Sequence, residues 1–328
     1  MADYLPSGGN LCFQRQPWMF RNIHGCYFFP KQRKEEFCMN MKRVFALLLT
    51  LAMALSLAAC GAKKEEPAKT EEPAKTEEPA APELTTVTPG KLTVATSPDF
   101  APYEFYAIDE SGNANLAGFD MALAQYIADY IGLELEVIPM DFDGVLTELA
   151  TKNVDLGMAG LSPDPERMEA MDFSDIYYMG GQSLVVTQAN KDKWASLEEL
   201  NDPSVSIGAQ LASIQYDLAM ENTPDADVVQ LAKVTDVVSE LLGGKLDAGY
   251  IETVVAESYA KNYPDLYIAF DVPYEVEGSA IGVVKGNEAL LAGVNEAIAA
   301  ALADGSMDDF VAQANEQASG EIIEGLVD

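Results

Sequence analysis

The residue with the clearest chemical potential is Arg167, the single arginine between Cys60 and the C-terminus. The same stretch holds 12 lysines, so a need for positive charge does not explain this one guanidinium. A guanidinium can hold a carboxylate through two parallel hydrogen bonds, whereas an ammonium is a point charge. Two nearby acids, Asp164 and Glu166, offer a structural ion pair instead. Composition alone leaves both interpretations open, a carboxylate ligand and an internal ion pair.

The residues needed for common catalytic chemistry are scarce. The only histidine is His24, and the four cysteines are Cys12, Cys26, Cys38 and Cys60. From Cys60 onward this excludes Ser-His and Cys-His nucleophile pairs, and metal sites built on imidazole or on several thiolates. No GxxxxGK[ST] or GxGxxG loop is present, so no cofactor is expected. Carboxylate pairs of the glycosidase kind are expected by chance among so many acids, and we predict no enzyme.

Charge is distributed unevenly along the chain, whose formal net charge is −33. Residues 1–59 hold seven of the 20 basic and three of the 53 acidic residues, which leaves 13 basic and 50 acidic residues from Cys60 onward. So acidic a surface repels phosphate backbones, and nucleic-acid binding is not expected.

Residues 41–59 have the pattern of a secretory signal peptide. A basic start, MKR, precedes an apolar run of 16 residues, 44–59, that ends in small side chains. The sequence LAACG at 57–61 resembles a bacterial lipobox, in which the cysteine is acylated and becomes the new N-terminus. We therefore predict an extracytoplasmic protein anchored to the cell membrane through lipidated Cys60. A plain N-terminal membrane anchor is the alternative.

The segments on either side of the signal peptide are not typical of a folded domain. Residues 1–40 show no periodicity, and we interpret them as the product of a start codon assigned too far upstream, since Met41 offers a better one. An extended leader is the alternative. Residues 60–90 contain the hexapeptide EEPAKT twice and are rich in Glu, Lys, Pro and Ala. This composition cannot bury apolar surface and predicts a solvated linker.

From Lys91 the pattern alternates between strands and helices. The helix that begins near Phe119 has apolar residues at helical spacing and Gly132 at its expected C-cap. The predicted strands are 92–96, 133–138, 154–159, 205–209, 246–252, 266–270 and 279–285. The further predicted helices are 144–152, 214–221, 237–242, 254–262, 288–303 and 307–318. This β-α order predicts an α/β protein with parallel sheets and helices on their faces.

Two α/β series followed by a returning C-terminal segment predict two lobes. The first lobe comprises residues 91–184 and 274–328, and the second comprises 185–273. Two hinge crossings are expected near 183–187 and 270–273. In such proteins ligands bind in the cleft, at strand ends and helix N-termini.

Several motifs resemble those of one family. GFDMALA at 118–124 resembles the GFDxxLA helix start of the polar amino acid substrate-binding proteins of ABC importers, bacterial extracellular solute-binding protein family 3. The sequences FDG at 142–144, VDL at 154–156 and DFSDIYY at 172–178 are similar to further motifs of that family. The resemblance covers Lys91 to the C-terminus, and the lipobox indicates the lipoprotein form. It implies a two-lobe, periplasmic-binding-protein-like (type II) fold.

The resemblance implies roles for five residues of the first lobe. Arg167 matches the arginine that grips the ligand α-carboxylate, and Ser162 matches a serine beside that carboxylate. Gly160 matches the residue whose carbonyl receives the α-ammonium. Phe100 and Phe142 match the aromatic walls around the ligand side chain. Both phenylalanines can instead be ordinary core residues.

In the second lobe, Glu252 matches the acid that pairs with the ligand ammonium, although the family more often has Asp there. Ser213 ends a turn that usually reads G-x-x-x-G-[ST] and here, at 208–213, lacks the second glycine. Ser213 can be only a helix cap, and Glu252 can be a solvated strand end. Ser97 stands where receptors for basic amino acids can carry an acid, which argues against lysine or arginine as ligand.

The predicted function is therefore a receptor that binds a free amino acid between its lobes and delivers it to an ABC transporter permease. We expect a monomer that contacts the membrane only through its lipid anchor. Two alternatives stay open: an enzyme on the same scaffold, such as a cyclohexadienyl-type dehydratase, and a sensor subunit.

Overall fold

The structure, a computed structural model, describes residues 84–109, 111–274, 278–319 and the backbone of 322–323. The predicted upstream segment, signal peptide, Cys60 and most of the linker lie outside these residues. Across the described residues no helix is both long enough and apolar enough to span a membrane.

The elements alternate along the chain much as the sequence predicts. The helices are α1 (Phe119–Ile131), α2 (Phe142–Ala150), α3 (Arg167–Ala170), α4 (Leu197–Leu200), α5 (Ile214–Asn222), α6 (Val234–Leu242), α7 (Thr253–Asn262), α8 (Glu288–Asp304) and α9 (Ser306–Ala318), with a short 3₁₀ helix at Gln188–Asn190. The strands are β1 (Lys91–Thr96), β2 (Asp99–Phe100), β3 (Glu104–Ile108), β4 (Ala114–Ala117), β5 (Glu134–Pro139), β6 (Leu156–Gly157), β7 (Met171–Phe173), β8 (Gln182–Thr187), β9 (Ser206–Gln210), β10 (Asp227–Leu231), β11 (Ala248–Glu252), β12 (Leu266–Val272), β13 (Gly282–Val284) and β14 (Ile322–Ile323).

The first lobe is built on a five-stranded sheet with the order β5-β1-β6-β13-β7. β1 runs parallel to β5 and β6, whereas β13 runs antiparallel to both β6 and β7. The predicted parallel pairing is confirmed for β5, β1 and β6, and the sheet as a whole is mixed because the returning C-terminal strand enters in the opposite direction. On α1, Phe119, Leu123 and Ile127 share one buried face at i, i+4 and i+8. The helix ends at Gly132, which adopts the left-handed backbone expected of a C-cap (φ 76°).

A small antiparallel sheet adjoins the first lobe and was not predicted. β3 pairs with β2, β4 and β14. It holds the segment from Asp99 to Ile108 in place between β1 and α1. Phe100 and Glu104 are opposite each other in this sheet.

The second lobe is built on another five-stranded sheet, with the order β10-β9-β11-β8-β12. β9 runs parallel to β10 and β11, and β8 runs antiparallel to β11 and β12. This sheet is also mixed, and its edge strand β10 was not predicted. Two sheets with helices packed on them agree with the predicted two-lobe α/β fold.

The first crossing between the lobes lies outside the predicted residues 183–187, whereas the second begins at Pro273, the last residue of the predicted 270–273. Residues 182–187 and 266–272 form β8 and β12, which pair with each other, Gln182 opposite Val272. Residues 182–184, assigned to the first lobe from sequence, therefore belong to the second sheet. The chain crosses before Gln182 and after Val272, where Tyr178 and Ser279 form an isolated antiparallel bridge. An extended crossing and a sheet strand have the same sequence pattern, so the segment that was predicted as the first crossing is in fact strand β8.

Candidate ligand-binding site

The five predicted residues of the first lobe stand at the ends of its elements. Phe100 is the last residue of β2, and Phe142 is the first residue of α2. Gly160 and Ser162 lie in the loop after β6, and Arg167 begins α3. Element ends of this kind can present side chains and backbone groups without disrupting the sheet.

Arg167 connects several of the predicted residues and reaches the second lobe. Its Nη1 donates to the carbonyl oxygen of Ser162 (3.4 Å), and its Nη2 donates to the carbonyl oxygen of Ala212 (3.1 Å). Its Cζ lies 5.5 Å from the centre of the Phe142 ring, within cation–π range. Burial lowers the pKa of Arg167, and the nearby Asp164 opposes that effect. The guanidinium stays charged, since arginine is not deprotonated in proteins.

The structure does not contain the alternative ion pair of Arg167 with Asp164 or Glu166. Oδ1 of Asp164 accepts hydrogen bonds from the backbone N–H groups of Glu166 (2.7 Å) and Arg167 (3.3 Å). Among the ion pairs of the described residues, none includes Arg167. The acid next to the arginine therefore stabilises the turn before α3, and the guanidinium donates to neutral carbonyl groups.

Gly160 lies directly against an aromatic ring. Its φ of +57° is in the left-handed region, and a Cβ at this position would lie 2.7 Å from Cε1 of Phe100. Only glycine combines this backbone with so close an approach. The Phe100 ring also lies 5.4 Å, centre to centre, from the Tyr103 ring. Phe100 and Phe142 are each 7% exposed and belong to the main hydrophobic cluster, so they are core residues that also border the other predicted residues.

In the second lobe, Ser213 caps α5. Its Oγ accepts a hydrogen bond from the N–H of Tyr216 (3.2 Å), its hydroxyl donates to the carbonyl of Gln210 (2.8 Å), and the residue is 1% exposed. The preceding Ala212 has a φ of +61°. This is the turn position at which the resembling family has its second glycine, so alanine here adopts a backbone that glycine adopts more easily.

Glu252 is buried at the end of β11 and caps α7. Its Oε2 accepts from the N–H of Val255 (2.9 Å), and Tyr103 of the first lobe donates to its Oε1 (3.4 Å). It is 3% exposed, so the alternative of a solvated strand end is wrong. Burial raises the pKa of Glu252 to about 7, against the lowering effect of its hydrogen bonds to the backbone.

Two residues of the site were missed from sequence, Tyr103 and Asp99. Oδ1 of Asp99 accepts from the hydroxyl of Ser97 (3.0 Å). Its Oδ2 accepts from Nε2 of Gln210 (3.1 Å) and the N–H of Val234 (2.6 Å), both in the second lobe. Burial raises the pKa of Asp99 to about 6. Both missed residues lie in the same DFAPY segment as Phe100, which was the available signal.

A cavity of about 520 Å³ lies at the junction of the lobes, with Asp164, Ile214 and Tyr274 among its lining. Another, of about 570 Å³, lies on the second lobe. Neither cavity is lined by any of the seven predicted site residues. In the part of the chain that the structure describes, no three His, Cys, Asp or Glu side chains are placed to hold a metal ion.

Comparison with known proteins identifies the family of the chain. The family model of the bacterial extracellular solute-binding proteins, family 3, matches residues 92–315, which is more than half of the chain. The arginine-binding extracellular protein ArtP of Bacillus subtilis (strain 168) is 32% identical over 253 residues, 76% of this chain and 88% of ArtP.

A solved structure and a more distant enzyme are also similar. The amino acid ABC transporter substrate-binding protein AbpA from Streptococcus pneumoniae, bound to L-arginine, gives a TM-score of 0.68 at 32% identity, covering 71% of this chain and 97% of AbpA. The cyclohexadienyl dehydratase of Pseudomonas aeruginosa is 25% identical over 177 residues, 54% of this chain and 65% of the enzyme. The family match and the two-lobe architecture agree, and the chain belongs to the bacterial extracellular solute-binding proteins of family 3.

Proposed function

We propose that this chain is an extracytoplasmic receptor that binds a free amino acid between its two lobes and delivers it to an ABC importer. The observation that carries the proposal is the guanidinium of Arg167, which lies where the lobes meet and donates to the carbonyl groups of Ser162 and Ala212. The hydrogen bonds of a charged donor become stronger when a carboxylate replaces neutral acceptors, so a carboxylate ligand is stabilised there.

The binding mechanism is clamp closure around a zwitterion. The α-carboxylate takes the two donors of Arg167, and the α-ammonium meets the carbonyl of Gly160 and the carboxylate of Glu252. The N-terminus of α5, capped by Ser213, adds a partial positive charge on the carboxylate side. Because ligand contacts come from both lobes, the ligand binds the closed arrangement more tightly than an open one and shifts the population toward it.

Arginine is the first candidate ligand. ArtP is named as arginine-binding, and AbpA carries L-arginine in its structure. Position 97 has a serine where receptors for basic ligands can have an acid. However, the buried carboxylate of Asp99 lies 3.0 Å from the Ser97 hydroxyl. This carboxylate supports a cationic side chain in the cleft.

Titration of the purified protein with the common amino acids and L-cystine tests the proposal. A ligand that binds only the folded state raises the melting temperature with its concentration. We expect L-arginine to give the largest rise and a saturable heat of binding. Binding of another amino acid would correct the specificity alone, whereas no binding by any of them would overturn the receptor function.

The membrane anchor is a separate part of the proposal and rests on the lipobox at Cys60. The mature protein begins at acylated Cys60, is a monomer and stays with the membrane. A chain expressed from Met41 is exported as well as the full chain, because residues 1–40 are not needed. N-terminal mass analysis of the native protein and of Cys60→Ala tests this, and a mature N-terminus elsewhere would contradict it.

An enzymatic function is the second candidate, and one observation favours it. The pKa of Glu252, raised by burial to about 7, suits a general acid, and a dehydratase is among the relatives. Incubation with cyclohexadienyl substrates, followed by the absorbance of an aromatic product, separates the two. Turnover that is lost in Glu252→Gln would favour the enzyme.

A further inference from the structure

Two buried carboxyl groups lie next to the proposed ligand site and are used by neither the clamp nor the lobe contacts. Glu104 is the first residue of β3, and Asp120 lies in the first turn of α1. Both are 0% exposed, and the N–H of Asp120 donates to the carbonyl of Tyr103 (2.9 Å), directly before Glu104, which brings the two residues together. A carboxyl pair away from water needs an explanation, since burying one unpaired charge already costs several kcal/mol.

The hydrogen bonds of the pair are strongly unequal. Oδ1 of Asp120 accepts from the hydroxyl of Tyr177 (2.6 Å), and its Oδ2 accepts from the N–H of Gly160 (3.2 Å). Among the described residues, no donor reaches either carboxyl oxygen of Glu104. Asp120 therefore has the surroundings of an ionised carboxylate, and Glu104 has those of a protonated acid.

No cation of the residues that the structure describes forms an ion pair with either carboxyl group. The titratable groups that act on the two carboxyls are Asp99 and the hydroxyl of Tyr177, with Tyr103 further along the same cluster. All are acids, so they add negative charge or none.

We propose that Glu104 and Asp120 share one proton, carried by Glu104, and that the resulting pair positions the Gly160 peptide for ligand binding. Glu104 donates its proton to Asp120, which satisfies both groups with a single negative charge. Asp120, fixed by that bond and by Tyr177, holds the N–H of Gly160. Asp120 is thus a positioning residue, and Glu104 keeps it in place.

The direction of the pKa shifts agrees with this arrangement. Burial, and then the charge of Asp120, raise the pKa of Glu104 well above its usual range. Burial also raises the pKa of Asp120, to about 6, but its hydrogen bonds with Tyr177, Gly160 and Glu104 oppose that shift. The proton therefore belongs on Glu104 at neutral pH, although the two groups titrate as a coupled pair.

The consequence for ligand binding rests on the proposed function. Gly160 has a left-handed backbone that few other residues adopt, and its carbonyl is the proposed acceptor for the ligand ammonium. The hydrogen bond to Asp120 fixes the plane of the Ala159–Gly160 peptide, and the Gly160 carbonyl lies in the next peptide plane, joined to the first at a Cα whose φ is +57°. The pair thereby pre-orders an acceptor that would otherwise have to be oriented during binding.

Infrared spectroscopy tests the shared proton without any ligand. At pH 7 the difference spectrum of the wild type minus Glu104→Gln should contain the C=O band of a protonated carboxylic acid. Asp155→Asn is the matched control, because buried Asp155 accepts from the N–H of Val87 and from the N–H and hydroxyl of Thr93. Its difference spectrum should contain carboxylate bands instead. Carboxylate bands for Glu104 would overturn the proposal.

The dependence of stability on pH gives a second test. If the pKa of Glu104 is higher in the folded than in the unfolded protein, the native state binds one more proton. The contribution of that proton to the unfolding free energy is complete below about pH 4.5 and is lost as pH rises. Glu104→Gln removes this contribution. Above about pH 4.5, the unfolding free energy of the wild type should fall with pH with the slope of about one proton, and that of the variant should lack this slope. An unchanged slope would contradict the proposal.

The positioning of Gly160 is tested by Asp120→Asn and by titration with L-arginine. An amide has one accepting oxygen, which cannot serve Glu104, Tyr177 and Gly160 together. We expect the Gly160 amide to lose hydrogen-exchange protection and affinity for L-arginine to fall about tenfold, while the control Asp155→Asn stays within about threefold of wild type. Equal losses in the two variants, or an unchanged Gly160 amide in Asp120→Asn, would overturn the positioning role. If the wild type does not bind L-arginine, the proposal of that ligand is wrong. The infrared and hydrogen-exchange results still test whether Glu104 and Asp120 share a proton.

Discussion

The two lobes contribute to the proposed site by different means. The first lobe contributes the guanidinium of Arg167, the rings of Phe100 and Phe142 and the backbone of Gly160. The second lobe offers helix N-termini, because Ser213 and Glu252 each cap a helix of their own lobe. Arg167 of the first lobe is in none of the ion pairs of the described residues and is free to serve the ligand, whereas Ser213 and Glu252 of the second lobe already stabilise their helices. Substitution of Arg167 should therefore separate binding from stability, whereas substitution of Ser213 or Glu252 should change both.

The largest expected effect is in the first lobe. Arg167→Ala should weaken binding by about 2–5 kcal/mol, roughly thirtyfold to several thousandfold, because a desolvated charge pair loses one partner. Arg167→Lys should also lose affinity, since an ammonium does not reproduce the two-pronged geometry. Calorimetric titration measures both variants. A variant that melts earlier without ligand but binds normally would mean that Arg167 is structural.

The next effect is at Gly160. Gly160→Ala should destabilise the protein by about 1–3 kcal/mol, because alanine is strained in the left-handed region and its Cβ would clash with Phe100. Urea denaturation measures the loss, and titration should show weaker binding because the ring must move. Gly286→Ala is a control, since Gly286 has a positive φ (84°) with no atom near its Cβ position. If both variants bind and unfold alike, the contact with Phe100 has no role.

A smaller effect is the pH dependence that Glu252 imposes on binding. With a pKa of about 7, Glu252 is mostly protonated at pH 6, so affinity for an ammonium ligand should fall about tenfold from pH 8 to pH 6. The stability of the free protein should change in the opposite direction. A raised folded pKa stabilises below about pH 4.5, and that contribution is lost as pH rises through about 7.

Glu252→Gln separates the charge of Glu252 from its helix cap, because the amide oxygen can still accept from Val255. Binding should weaken, and its dependence on pH between 6 and 8 should flatten. Calorimetry at both pH values, alongside melting curves, provides the measurement. A pH dependence that survives in Glu252→Gln would assign it to another group, such as Asp99.

The smallest effect contrasts two left-handed positions, one in each lobe. Ala212 has almost the same φ as Gly160 but carries a Cβ. Ala212→Gly should stabilise the protein by about 0.5–1 kcal/mol, because the relief of about 1–2 kcal/mol exceeds the entropic cost of glycine in the unfolded chain. The urea midpoint measures this, and a destabilised variant would show that no strain is stored there.

The sequence predicted those parts of the molecule that depend on local pattern. Helix α1 was predicted because its apolar spacing and Gly132 agree, and Arg167 was selected as a candidate because it is the sole arginine after Cys60. The start of α6 was placed three residues late, at Val237, since its local cap residue, Lys233, makes no side-chain hydrogen bond to the helix. The N–H of Val234 is bound by Asp99 from the other lobe, which no local pattern reveals.

The buried acids were missed for a related reason. Glu104 and Asp120 look like any two of 50 acidic residues until the small sheet and α1 bring them together. Ala212 was noted only as a missing glycine, and its left-handed backbone emerged with the turn itself. Polar contacts between distant segments depend on tertiary placement, and the alternation of hydrophobic residues does not encode them.

The position of β13 sets an order of assembly during synthesis. β13 pairs with both β6 and β7, so these strands lack their shared neighbour until residues 282–284 emerge from the ribosome. The second sheet is contiguous from Gln182 to Val272 and is complete before then. A chain that folds as it is synthesised therefore passes through a stage with one finished lobe and one open sheet, whose unpaired edges can recruit other chains. Holding the chain unfolded until its C-terminal part is available protects it from aggregation at that stage.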